Sequence, residues 1–281
     1  MKAALIDRYG SNDAVSVADI DIPTLGATDL LVRVHAASVN PVDIKTRDGK
    51  LKTLLKYRFP LVLGNDLSGV VSDVGSRVTR FKKGDAVYAC VDRTRIGTFA
   101  EFAVVRDGAA ALKPTNVTFE EAASLPLVAL TAWQALVEIG RLGANQRVLI
   151  HAGSGGVGSV AIQLARHMGA TVFTTVGKRN VELVKRLGAN VAIDYRSERF
   201  EDVGVAEIDY DTNPMRLGKA KGFHPREVFN LAAEVSGARF IGPEQRLVDA
   251  EIMGVAVQQN YGLPKSHNLS LKRGHEVRKP G

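Results

Sequence analysis

The sequence predicts two folds in series: a β-rich domain over residues 1–118, then a parallel α/β unit over residues 119–203. Three observations carry this. Up to residue 118, short alternating apolar segments are punctuated by glycine and proline. At Thr118 the apolar period changes to one suited to helices. From Arg147 onward, strand-like and helix-like segments alternate at the spacing of a βαβαβ unit. A length of 281 residues, set against roughly 150 per domain, agrees with two domains.

In chain order, Leu30–His35, Ser68–Val74, Asp85–Val91 and Phe99–Val105 read as strands, separated by Gly64, Gly75, Gly84, Gly97 and, further on, Pro114. Short strands with such turns predict a compact β-barrel or sandwich. Thr118 and Glu121 stand at the spacing of a capping box, in which each side chain bonds the other residue's backbone N–H. They open a helical stretch over Ala122–Leu142, interrupted at Pro126. Arg147–His151 is an apolar strand, glycine-rich residues follow, and Val160–Met168 is helical. Thr171–Val176, Val181–Leu187 and Val191–Tyr195 then read as strand, helix and strand. Parallel strands joined this way are half of a doubly wound sheet. After Val203 the pattern stops, and residues 204–281 hold only weak apolar runs, at Glu227–Ala233 and Ile252–Val257.

Hydrophobic residues at 45% and charged residues at 24% describe a globular chain, not a disordered or fibrous one. No apolar run approaches the ~18 residues of a membrane helix. The start MKAALIDRYG carries charges where a signal peptide needs an apolar stretch, so a cytoplasmic address is expected. The lone cysteine, Cys90, excludes an internal disulfide and a four-cysteine zinc lobe. Net charge is +7 with a pI near 9.5. The cations are interleaved with acids along the whole chain, which favours a solvated basic surface over nucleic-acid binding. Neither a nucleic acid nor a membrane is an expected partner.

The strongest motif lies between the first predicted strand of the second unit and its helix. Gly153, Gly155 and Gly158, with Ser154, Gly156 and Val157 between them, form G-x-G-x-x-G. Missing side chains let the backbone turn tightly and approach a pyrophosphate, and the helix that follows offers free N–H groups to it. An acid at the end of the next strand would select the ribose 2′-hydroxyl of NAD. Gly177, Lys178 and Arg179 stand there instead, favouring a 2′-phosphate and hence NADPH; the other reading of these cations is a solvated turn. Tyr195, beside Arg196, is placed either near the same adenosine phosphate or as a plain strand-end aromatic.

Four motifs in order carry a family resemblance: Ser38–Asp43 (SVNPVD), Pro60–Val71 (PLVLGNDLSGVV), Leu125–Trp133 (LPLVALTAW) and Ala152–Gly158. Together they resemble the zinc-free branch of the medium-chain dehydrogenase/reductase superfamily, and within it the quinone oxidoreductases and alkenal/enone reductases. The resemblance implies a GroES-like β-barrel catalytic domain over 1–118 and the first half of a Rossmann domain over 119–203. Zinc-dependent members carry a cysteine near the SVNPVD position and Gly-His-Glu at Gly64-Asn65-Asp66. This chain has Asn40 and Asn65 there, amides that do not replace thiolate and imidazole, so metal-free chemistry is expected.

The resemblance further implies hydride transfer from NADPH to a small-molecule quinone or enone, the protein supplying orientation and electrostatics. Asn40 is then a candidate to donate to a developing enolate oxygen, or else a cap on the turn before Pro41. Thr131 is a candidate contact at the nicotinamide end, or a helix threonine bonded to its own backbone. Tyr57 or solvent supplies the proton. A homodimer is compatible with the family. The tail departs from the family pattern: Asp211-Thr212 is followed by Asn213-Pro214, not by glycines, and no Lys-Pro-Gly-Gly appears. Such a tail resembles a truncated or replaced C-terminus and keeps a second reading open, a catalytically impaired cofactor-binding or scaffold protein derived from such a reductase.

Overall fold

The computed structural model describes residues 1–203, which divide into two compact units, Met1–Leu127 and a second from Val128 onward. Expectations for residues 204–281 lie outside the described residues.

The first unit is built on two antiparallel sheets. One has the order β2-β1-β4, from β1 (Lys2–Ile6), β2 (Val15–Asp19) and β4 (Leu61–Val62). The other has the order β7-β3-β5-β6-β8, from β3 (Asp29–Ala36), β5 (Asp66–Val74), β6 (Ala86–Cys90), β7 (Phe102–Arg106) and β8 (Ala110–Leu112). Alternation along the strands puts Leu30, Val32, Leu67, Val71, Val87 and Val105 into one core. A smaller core gathers Ile6, Leu61 and Leu63, with Tyr57 and Phe99 against it. Register shifts in the β3–β5 ladder follow Leu31 and Val34 and bend the longest strand pair. Helix α1 (Pro41–Arg47) follows β3, and α2 (Phe119–Ala123) follows β8.

The capping box that opens α2 is formed as its spacing predicts: the Glu121 N–H donates to Thr118 Oγ1 at 3.2 Å and the Thr118 N–H to Glu121 Oε2 at 2.8 Å. The helix packs on β5 and β3, with Ser68 Oγ donating to the Phe119 carbonyl and the His35 ring stacked on Phe119 at 4.3 Å. These contacts place α2 with the β-sheets. The division accordingly falls after Leu127, whereas the change of period in the sequence put it after residue 118.

Helix α3 (Pro126–Trp133) continues as one π-helical stretch, Gln134–Ile139, and leads into the second unit. There β9 (Arg147–Ile150), α4 (Gly156–His167), β10 (Thr171–Val176), α5 (Val181–Leu187) and β11 (Val191–Asp194) alternate, and the sheet has the order β11-β10-β9 with every pair parallel. Neighbouring strand residues face opposite sides. Val148, Ile150, Val172 and Val176 pack with Ala161, Ile162 and Ala165 of α4 and Val184 of α5. Leu149, Phe173 and Ile193 form the other face, against Phe200 and Val203. The element order matches the sequence reading closely. One boundary differs: α4 begins at Gly156, earlier than the expected Val160, so half of the glycine motif is already helix.

Candidate functional site

In the second unit, the three parallel strands deliver three loops to one edge of the sheet. The first is the glycine loop. It leaves β9 through His151 and Ala152, whose φ is +52°, and enters α4 with Gly155 as N-cap. A Cβ at Gly153 would lie 2.0 Å from Thr174 Oγ1 of β10, and one at Gly158 would lie 2.4 Å from the Ala152 carbonyl oxygen. Only glycine at both places lets the loop lie against β10 and the first turn of α4 lie against the loop. A Cβ at Gly156 would meet only Val128 Cγ1, at 3.2 Å.

Polar groups on β10 hold this loop. Thr175 Oγ1 accepts the Ala152 N–H at 3.2 Å and bonds His151 Nδ1 at 2.9 Å, and the Gly153 N–H donates to the Thr175 carbonyl at 3.0 Å. Asn180 Nδ2 donates to Ser154 Oγ at 3.0 Å. The sequence reading missed Thr175 and Asn180. Their available signal was a hydroxyl pair closing an otherwise apolar strand, and an amide just past the two cations.

The second loop carries Gly177, Lys178 and Arg179. Lys178 and Arg179 are exposed, and among the described residues neither enters an ion pair. Tyr195, at the end of β11, lies beside them: a Cβ at Gly177 would stand 3.7 Å from its hydroxyl, and the Arg196 guanidinium is 5.9 Å from its ring centroid. Gly177, Lys178, Arg179 and Tyr195 therefore gather at the carboxyl ends of adjacent strands, where open α/β sheets bind ligands.

These residues fit a dinucleotide. The first turn of α4, which contains Gly156, Val157 and Gly158, has N–H groups without intrahelical acceptors and the positive end of a helix dipole, the backbone chemistry a pyrophosphate needs. The glycines keep side chains out of that cradle, and the cations beyond β10 stand where an acid would repel a phosphate.

The first unit holds a different constellation, a buried quartet of two amides and two carboxylates. Asn40 is the N-cap of α1, whose first helical residue is Pro41. Asp43, at the third helical position, returns Oδ2 to the Asn40 backbone N–H at 2.7 Å, the acidic half of a capping box. Asn65 Nδ2 donates to Asp43 Oδ1 at 2.6 Å. Asn40 Nδ2 donates to Asp66 Oδ2 at 2.9 Å and reaches Ser38 Oγ at 3.4 Å. Asp66 also accepts from Ser38 Oγ and from the Leu127 N–H, both at 3.0 Å. Burial pushes the Asp43 carboxyl up to about 6 and that of Asp66 up to about 7, against the opposing pull of these amide donors.

The arrangement bears on two expectations without deciding either. Asn40, a candidate donor to an enolate oxygen or else a cap before Pro41, is the N-cap of α1, and its Nδ2 bonds Asp66 and reaches Ser38 inside the unit. Tyr57 was expected as a proton donor, but its hydroxyl donates to the Arg93 carbonyl at 2.7 Å, and burial pushes its pKa up to about 12. Thr131 sits on α3, fully buried. Asp43, Asn65 and Asp66 were legible only as parts of a motif; nothing in their spacing revealed that they pair crosswise. Among the described residues, no group of three His, Cys, Asp or Glu gathers in a way that would hold a metal.

Comparison with known proteins bears directly on both units. The family model for the alcohol dehydrogenase GroES-like domain matches residues 26–115, and that for zinc-binding dehydrogenase matches residues 156–214. The bovine mitochondrial NAD(P)H oxidoreductase RTN4IP1 is 41% identical over 219 residues, covering 72% of this chain and 55% of its own length. The chloroplastic NADPH-dependent alkenal/one oxidoreductase of Arabidopsis thaliana is 42% identical, covering 72% of this chain and 54% of its own length. The quinone oxidoreductase structure from Coxiella burnetii superposes with a TM-score of 0.66 at 40% identity, over 72% of this chain and 65% of that one. The chain thus spans about half the length of the curated relatives it matches. Two family models in succession cover more than half of it, in the order in which the structure sets a GroES-like unit before a Rossmann-type one. By that order, and by relatives that are quinone and alkenal oxidoreductases, the chain belongs to the medium-chain dehydrogenase/reductase superfamily.

Proposed function

We propose that the chain is an NADPH-dependent reductase that passes hydride to a quinone or an α,β-unsaturated carbonyl. The observation that carries the reading is the pair Lys178 and Arg179, exposed and, among the described residues, free of ion pairs at the end of β10. The names of the relatives, NAD(P)H and NADPH-dependent oxidoreductases, support the same class of cofactor. The first-turn amides of α4 hold the pyrophosphate, Lys178 and Arg179 hold the 2′-phosphate, and Tyr195 flanks the adenosine phosphate. Asn40 in the first unit and Thr131 in the second are each a candidate contact for the nicotinamide end.

When bound, the cofactor supplies hydride. An enone takes it at the β-carbon and a quinone at a carbonyl oxygen or ring carbon, and a proton from solvent completes either product. Tyr57 is left out of that step because its hydroxyl donates a hydrogen bond to the Arg93 backbone carbonyl. The donor set around Asn40 and Asn65 suits electrophilic acceptors, since its amides and carboxylates satisfy one another and an alcohol would need a metal to stabilise its alkoxide.

Dissociation constants for NADPH and NADH, with NADPH oxidation by a simple quinone and a conjugated enone, test this. NADPH should bind more tightly. The double variant Lys178→Ala/Arg179→Ala should lose at least about tenfold in NADPH affinity and little for NADH, since each charge-assisted phosphate contact is worth roughly 1.5–3 kcal/mol. Equal constants in the unaltered protein overturn the cofactor assignment. Tight binding without turnover favours the scaffold reading instead.

A further inference from the structure

We propose that Asp66 is a positioning residue: its carboxylate sets the orientation of the Asn40 carboxamide and at the same time anchors the first turn of α3. The inference rests on the reductase reading and adds a residue to it. Asp66 is fully buried at the start of β5. On Oδ2 it takes Asn40 Nδ2 at 2.9 Å and Ser38 Oγ at 3.0 Å, and on Oδ1 the Leu127 N–H at 3.0 Å. Ionised, as it is above its folded-state value of about 7, Asp66 only accepts, so the side of Asn40 facing it is then the amino side; the reversed carboxamide would set oxygen against oxygen. Asp66 thereby removes a two-fold ambiguity that an asparagine otherwise has.

The bond to Leu127 does separate work. Leu127 follows Pro126 in the first turn of α3, where an N–H has no acceptor within its own helix and a negative charge is favoured by the helix dipole. Helix α3 carries Thr131. One carboxylate therefore holds both the Asn40 side chain and the first turn of α3.

Asp43 is the internal control. It is similarly buried and also accepts an asparagine amide, from Asn65. Its partners are Asn65 and the Asn40 backbone, neither the Asn40 carboxamide nor α3. A purely structural role predicts equal consequences for losing either acid; positioning predicts unequal ones.

The test compares Asp66→Asn with Asp43→Asn in the full chain. Asp66→Asn keeps the size of the side chain but sets a donor against either the Asn40 amino group or the Leu127 N–H, so one of the two anchors is lost. Hydrogen exchange of the Asn40 side-chain amide, read by NMR, should speed up at least about tenfold in Asp66→Asn and stay near the wild-type rate in Asp43→Asn. Asp66→Asn should also lower kcat at least about tenfold, with NADPH affinity within about twofold of wild type. Unchanged exchange in Asp66→Asn, or equal losses of kcat and thermal stability in the two variants, overturns the proposal. Where Asp66→Asn does not fold, the exchange of roles Asn40→Asp/Asp66→Asn restores one donor and one acceptor; kcat should remain low, and wild-type kcat there overturns the proposal too. An unaltered chain that turns over no acceptor defeats the reductase reading, and the amide-exchange result then decides the role of Asp66 alone.

Discussion

The glycine loop of the second unit and the amide–carboxylate quartet of the first solve opposite problems. The first turn of α4 has N–H groups without intrahelical acceptors, the glycines keep side chains away from it, and two exposed cations nearby enter no ion pair among the described residues. The quartet brings amides and carboxylates out of water and satisfies them with one another. A region built to receive an anion leaves donors unused, whereas a region that must hold a shape uses them up. Unused hydrogen-bonding capacity, more than polarity as such, marks where a ligand belongs.

The sharpest way to break this contrast is through the loop. Gly158→Val should abolish NADPH binding and cost on the order of 3 kcal/mol or more, because its Cβ would sit 2.4 Å from a backbone oxygen and the loop would have to move. Gly156→Ala is the matched control for packing alone, meeting only a valine methyl at 3.2 Å, and should keep the fold. Thermal unfolding together with cofactor titration measures both; a Gly158→Val protein that still binds would show that close packing of loop and helix is not what shapes the cradle.

The quartet should show itself as a dependence of stability on pH. The folded-state pKa values of Asp43 and Asp66, about 6 and about 7, lie above the unfolded value of 3.8. A raised pKa means that the folded state binds the proton more tightly, so the stability gained is fully present below the unfolded value and is lost as pH rises through about 6 and then about 7. Unfolding free energy should therefore fall between about pH 4 and pH 7, by at least about 1 kcal/mol. Asp43→Asn and Asp66→Asn should each flatten that slope. Denaturant melts across the window check this, and a flat wild-type profile would show that the amide donors fully offset burial.

The smallest effect is expected at Tyr57. Tyr57→Phe leaves the Arg93 carbonyl without this donor, a loss of about 1 kcal/mol. Quinone or enone turnover should stay within about twofold. A tenfold fall in kcat with little change in stability would return Tyr57 to the chemistry.

Much of this molecule was legible in the residues. Helices α4 and α5, the three parallel strands and the capping box at Thr118 follow from periodicity and short-range spacing, because the forces that make them act within a few residues. The same locality misled at α4: the glycines that depress helix propensity lie in its first turn, which packs against the loop and β10.

By itself, the sequence determined the order of the elements, the βαβαβ alternation, the glycine cradle and the two cations after β10, all of them local patterns along the chain. Only the tertiary structure decided that Asn40 pairs with Asp66 and Asn65 with Asp43, that the Tyr57 hydroxyl donates to a backbone carbonyl, and that α2 belongs with the β-sheets. Those pairings join residues well apart in sequence that share no periodicity. What selects them is the demand that every polar group taken out of water find a partner, and that demand exists only once the chain has folded.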